Sequence, residues 1–135
     1  MEVIKRNFTL KSNATGNLVF LEAMRDVPFE IKRIYYIYGV GRDDRRGFHA
    51  HRKLEQYLIC VNGSCEILLD DGYEKRTVLL NKPNEGLYIS SDIWHEMYNF
   101  SPDAVLLVLA SDYYDEDDYI RNYDDFIAHI RRIQK

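Results

Sequence analysis

A chain of 135 residues, 46% of them hydrophobic, is long enough to bury one core and too short for two comfortable ones, so a single domain over 1–135 is expected. Its formal net charge of −4 argues against general affinity for a phosphate backbone, and no basic stripe stands out, so no nucleic-acid partner is expected. No run approaches the roughly 20 apolar residues that span a bilayer, and the opening MEVIKRNFTL carries no apolar signal core. These features lead to the expectation of a cytoplasmic protein with no membrane partner.

In chain order, residues 18 to 111 are short apolar or alternating runs broken by turn residues, the pattern of a β-sandwich or barrel. Residues 18–22 read as a first strand. Residues 32–38 alternate, with Arg33, Tyr35 and Ile37 on one face. A charged loop at 43–46 leads into a strand at 47–51, followed by another at 56–61. Asn62-Gly63 is a type I′ hairpin signal, with 64–69 as the returning strand. Asp70-Asp71-Gly72 makes a second turn, and strands follow at 73–80, 86–89, 93–100 and 104–110. Cys60 and Cys65 flank the Asn-Gly pair and are expected as reduced, packed thiols facing each other across that hairpin; their spacing matches no zinc ribbon. Over 115–134 the spacing of Ile120, Tyr123, Phe126, Ile127, Ile130 and Ile133 predicts an amphipathic helix. Asp115 to Asp118 read as its solvated entrance, with Arg131, Arg132 and Lys135 at its end.

Within GFHAHRKLEQ, His49 and His51 are two apart on a strand and point the same way. On an inward face, two imidazoles are costly unless hydrogen-bonded, metal-bound or used in chemistry. The spacing His-x-His-x4-Gln-x6-Gly resembles the first motif of the cupins, and His95 with Asn99 in WHEMYN resembles the second. Metal-binding cupins carry a glutamate where this chain has Gln56. A metal there would have His49, His51, His95 and a neutral Gln56, without the carboxylate that hard or redox-active ions favour. No metal and no cofactor are therefore expected, which leaves the imidazoles free to titrate near neutrality as general acid and base.

The segments FEIKRIYYI, RRGFHAHRKLEQYLICVNGSC, GLYISSDIWHEM and VLLVLASDYYDEDDYIRNYDDF together resemble the nucleotide-sugar 3,4-ketoisomerases, from about Gly16 to about Phe126. The resemblance implies an all-β fold, a cupin jelly-roll β-barrel with a short C-terminal α-helix. It also implies a homodimer that exchanges an N-terminal strand region at 1–20. The activity implied is movement of the ketone of dTDP-4-keto-6-deoxyglucose from C4 to C3 without a metal, and the product feeds a transaminase in 3-amino-3,6-dideoxyhexose synthesis. By that resemblance His49 is the main base, with His51 and Tyr35 assisting at the sugar oxygens. Arg33, Arg46 and Gln56 bind substrate. Thr15 and His95 steer which face of C4 is reprotonated; His95 favours the galacto product.

Overall fold

The computed structural model describes residues 1–134. In chain order its elements are β1 (Ile4–Asn7), β2 (Thr9–Asn13), β3 (Gly16–Phe20), β4 (Arg33–Tyr38), β5 (Arg46–His51), β6 (Gln56–Asn62), β7 (Cys65–Asp70), β8 (Lys75–Leu80), β9 (Glu85–Ile89), β10 (Trp94–Tyr98), β11 (Val105–Ala110), β12 (Tyr119–Ile120) and α1 (Tyr123–Ile133). The strands form two five-stranded sheets, ordered β1-β9-β6-β11-β4 and β12-β5-β10-β7-β8, while β2 and β3 form a ribbon that pairs only with itself. Among the described residues no ladder joins the two sheets into one continuous cylinder.

The sheets face each other over a core that includes Leu58, Ile67, Leu87, Leu106 and Val108. β6 and β11 carry near-continuous apolar runs because both their faces are covered. The outer face bears Tyr57, Ile59 and Leu109, which pack under Phe8, Val27 and Phe29 from the segment that wraps past the ribbon. Helix α1 lays Phe126 and Ile130 against Ala50, Trp94 and Ile120, so it braces the outer side of β5. Burial of each of those two side chains is worth about 1.5–3 kcal/mol.

Three expectations are corrected. First, Asn62-Gly63 does not close a hairpin. β6 pairs with β9 and β11, whereas β7 pairs with β8 and β10, so the turn arches from one sheet to the other. Turn residues announce a reversal without saying which sheet receives the chain. Here the turn is tied to residues 101–104: the Ser64 amide donates to Ser101 Oγ at 2.9 Å and Asn62 Nδ2 to the Asp103 carbonyl at 2.8 Å. Gly63 (φ +69°) has no room for a side chain, since a Cβ would lie 2.9 Å from the Ala104 Cα. Cys60 and Cys65, both free and buried, consequently meet across the gap between the sheets.

Second, the strand read at 18–22 lies at Gly16–Phe20, and within the expected N-terminal strand region at 1–20 two further strands, β1 and β2, precede it. Their exposed, mixed sequence lacks the alternation that a half-buried strand needs.

Third, the helix begins at Tyr123 rather than near residue 115. The Asn122 side chain caps it by accepting the Asp125 amide at 3.0 Å. Asp115 caps a separate 3₁₀ turn over Glu116–Asp118, and Tyr119–Ile120 then extend to pair with β5. Ile120 fitted the helical spacing because the strand residue sinks into the same apolar cluster as the helix. Arg131 and Arg132 do lie in the last helical turn; Lys135 lies outside the described residues.

Candidate active site

The chemistry gathers where β5 is bent. Gly47 (φ +94°) and Phe48 (φ +59°) are consecutive left-handed residues, and the β5–β10 register shifts between His95 and Glu96. A Cβ on Gly47 would sit 2.8 Å from the His95 carbonyl oxygen and 3.2 Å from the Glu96 Cα, so only glycine lets the two strands approach this closely. The bend sets His49 opposite His95 and turns His49 and His51 into the space between the sheets, while Ala50 faces α1.

The three imidazole rings form one cluster. Ring centroids are 4.6 Å apart for His49 and His95, 4.9 Å for His49 and His51, and 6.0 Å for His51 and His95. Each Nδ1 faces an acceptor: the Gly47 carbonyl at 3.0 Å from His49, the Asp118 carboxylate at 3.0 Å from His51, and the Ile93 carbonyl at 3.2 Å from His95. Carbonyl and carboxylate oxygens only accept, so each neutral ring holds its proton on Nδ1. All three Nε2 atoms are buried without a hydrogen-bond partner. One ring nitrogen from each histidine lies within 4.8 Å of the other two, so three imidazoles offer donor atoms in one small volume.

Burial keeps these rings neutral. It pushes His49 below its ordinary value, partly opposed by the Gly47 carbonyl. His51 is pushed down to about 3, first by burial and then by repulsion from His49, Arg33 and Arg121. His95, fully enclosed and next to both other rings, is also strongly lowered. All three are thus uncharged at neutral pH, each with its Nε2 unprotonated.

Tyr35 enters from β4 in the opposite sheet. Gln56 Nε2 donates to its hydroxyl at 3.0 Å, which leaves the tyrosine proton free to point elsewhere. Burial, reinforced by Tyr119, pushes Tyr35 up to about 12, so it stays a protonated phenol. The Arg33 guanidinium stacks between the rings of Tyr35 and Tyr114, at 5.4 and 5.6 Å. Tyr35, Arg33, Arg46 and His49 line a cavity of about 470 Å³ with Met97, Tyr114, Tyr119 and Arg121. His95 and Gln56 lie deeper, behind His49 and Tyr35, with 1% exposure each. Thr15 sits at the exposed β2–β3 turn, where its amide and hydroxyl both bond the Asn13 side chain, and does not line the cavity of its own chain.

The three nitrogens, each with its Nδ1–H anchored from behind, fit the donor set of a divalent transition ion such as zinc. Gln56 Oε1, buried and without a partner, offers a neutral oxygen nearby in place of a carboxylate.

Residues 1–131 match the family described as FdtA: WxcM-like, C-terminal. The TDP-4-oxo-6-deoxy-alpha-D-glucose-3,4-oxoisomerase of Aneurinibacillus thermoaerophilus is 51% identical over 127 residues, 94% of this chain and 91% of that protein. The chain belongs to the nucleotide-sugar 3,4-ketoisomerases. Among solved members of that family, a 3,4-ketoisomerase from Helicobacter canadensis superposes with a TM-score of 0.94 at 51% identity, covering 97% of this chain and 98% of the other. A variant of the Thermoanaerobacterium thermosaccharolyticum 3,4-ketoisomerase, solved in complex with TDP-4-keto-6-deoxyglucose, gives 0.94 at 47% identity, covering 96% and 94%.

Beside this ketoisomerase pocket stand residues that sequence reasoning passed over. Tyr119 packs its ring on both His49 and His51, at centroid distances of 4.9 and 4.4 Å. The Arg121 guanidinium lies 4.1 Å from the centroid of the Tyr119 ring and is held by Glu116. Asp118, read as part of a solvated helix entrance, instead reaches His51. The sole signal for them was the run SDYYDEDDYIRNYD within the family resemblance; a two-residue strand has no periodicity to detect.

Proposed function

We propose that this protein converts dTDP-4-keto-6-deoxyglucose to the 3-keto isomer by acid/base proton transfer among His49, His51 and Tyr35. The observation that carries the reading is the convergence of unpartnered, proton-accepting Nε2 atoms beside a protonated phenol, at a cavity bearing three arginines. His49, the one histidine that lines the cavity, takes the C3 proton; the C–H electrons become the C3=C4 double bond of an enediol, and the C4 oxygen gains a proton. The C3 hydroxyl then loses its proton as the C3 carbonyl forms and C4 is reprotonated. Tyr35 and His51 shuttle protons at the two oxygens, Gln56 orients the phenol, and Arg46 stabilises negative charge on the enediolate oxygen. Arg33 and Arg121 suit the diphosphate. NMR of product formed from dTDP-4-keto-6-deoxyglucose is expected to find the carbonyl carbon at C3; a carbonyl that stays at C4 would sink the reading.

A homodimer with exchanged ribbons is part of this proposal. The β2–β3 ribbon pairs only with itself within the chain and exposes Leu10, Leu18 and Phe20. The edge strand β4 turns Ile34, Tyr36 and Tyr38 outward. Exchange would carry the β2–β3 turn, with Thr15, to the neighbouring subunit, where Thr15 and His95 together would choose the face of C4; the galacto product is expected. Two free, facing thiols suit the reducing cytoplasm.

A zinc ion on the three imidazoles would supply Lewis-acid polarisation, but it would occupy the lone pairs that the proton transfers need. Added zinc is therefore expected to inhibit turnover, with recovery on chelation. Activation by zinc in the same assay would replace the metal-free mechanism with a metal-dependent one.

A further inference from the structure

Of the three histidines, His51 alone has a negative charge behind it. His49 and His95 give their Nδ1 protons to main-chain carbonyls, whereas His51 gives its proton to the Asp118 carboxylate. That carboxylate is itself clamped. Its Oδ1 accepts the Lys53 amide at 2.8 Å, its Oδ2 accepts the Leu54 amide at 3.3 Å, and the Asp118 carbonyl accepts the Arg52 amide at 2.9 Å. The next residue, Tyr119, pairs with His51 in the β5–β12 ladder. The acidic segment therefore closes over the strand end that carries His51, and the carboxylate has no freedom to turn away.

We propose that Asp118 is the positioning residue for His51: it fixes the Nδ1–H tautomer, aims the Nε2 lone pair into the histidine cluster, and stabilises the imidazolium that forms when His51 takes a proton. The proposal deepens the isomerase reading and rests on it for the catalytic consequence, but not for the tautomer. Burial, the adjoining His49 ring and the Arg33 and Arg121 cations disfavour a charged His51. A fixed carboxylate at 3.0 Å acts in the opposite sense and lets the ring accept a proton transiently. His49 has the cavity, and His51, at 2% exposure, has the counter-ion. The two rings thus divide the work: one meets carbon-bound protons, and the other relays oxygen-bound ones.

The substitution Asp118→Asn separates positioning from architecture. The shorter bond from the Lys53 amide holds the asparagine oxygen at the Oδ1 place, which leaves the amide nitrogen facing His51. That nitrogen donates to Nδ1, so the ring proton must move to Nε2 and the lone pair disappears from the cluster. In protein labelled with ¹⁵N-histidine, two-dimensional NMR is expected to find His51 as the Nδ1–H tautomer in the wild type and as Nε2–H in Asp118→Asn. The same variant is expected to lose about 10²–10⁴-fold in kcat with KM changed only a few-fold, as follows when a triad aspartate is replaced in other enzymes and the tautomer is wrong. An Nε2–H tautomer in the wild type overturns the proposal without any variant, and so does an Asp118→Asn protein with wild-type kcat. If the wild type has the Nδ1–H tautomer but makes no 3-keto product, the clasp stands and the isomerase reading falls. An active wild type with the Nε2–H tautomer gives the reverse.

Discussion

Replacing His49 with asparagine is expected to lower kcat by about 10²–10⁴-fold, the range that a lost general base costs, while dTDP binding stays within a few-fold. His49 lines the larger cavity, whereas His51 borders only a smaller one of about 170 Å³ with Arg33 and Asp118 and His95 lines neither, so His49 is the ring best placed to meet a sugar C3 proton. Asparagine keeps a polar group near that place but cannot carry a proton at neutral pH. Binding survives because the charged contacts to a diphosphate come from arginines on other parts of the wall. Steady-state kinetics with calorimetry of dTDP binding separates the two quantities. Near-wild-type turnover would remove His49 from the role of base.

The second large effect is expected from Tyr35→Phe. The phenylalanine ring keeps the stacking with Arg33, 5.4 Å away, and removes only the hydroxyl. Two consequences follow. The oxygen-to-oxygen proton relay loses its neutral donor, with an expected fall of about 10²-fold or more in kcat. Gln56 Nε2 also loses its partner in a buried place, which costs about 1–3 kcal/mol of stability. A thermal melt beside the kinetics divides these effects. If the melting temperature drops while kcat holds, Tyr35 is a packing residue and the proton relay lies elsewhere.

The chemistry was legible wherever it coincided with strand alternation. Arg33 and Tyr35 alternate inward with Ile37, and His49 and His51 flank Ala50, so sequence spacing alone put each group on its face. It could not say that β4 and β5 belong to opposite sheets and face each other, because register and partner depend on contacts far apart in the chain. The same limit explains the Asn62-Gly63 arch. The bend at Gly47 and Phe48 was invisible, since a phenylalanine at φ +59° obeys no local preference and the close approach of β10 at Gly47 is a contact distant in sequence. Asp118 and Tyr119 were missed for another reason: an acidic run beside an amphipathic helix looks like dipole compensation. Only the β5–β12 ladder reveals that it turns inward.

The most direct test is one NMR time course. Chelator-treated protein is mixed with dTDP-4-keto-6-deoxyglucose in deuterium oxide, beside the His49→Asn variant. The expected result is a carbonyl carbon that moves from C4 to C3, with ring deuterium at C4, in the wild type and not in the variant. A carbonyl that stays at C4 while deuterium enters C3 or C5 would make the protein an epimerase, and turnover equal in both samples would contradict proton transfer by the histidine pair.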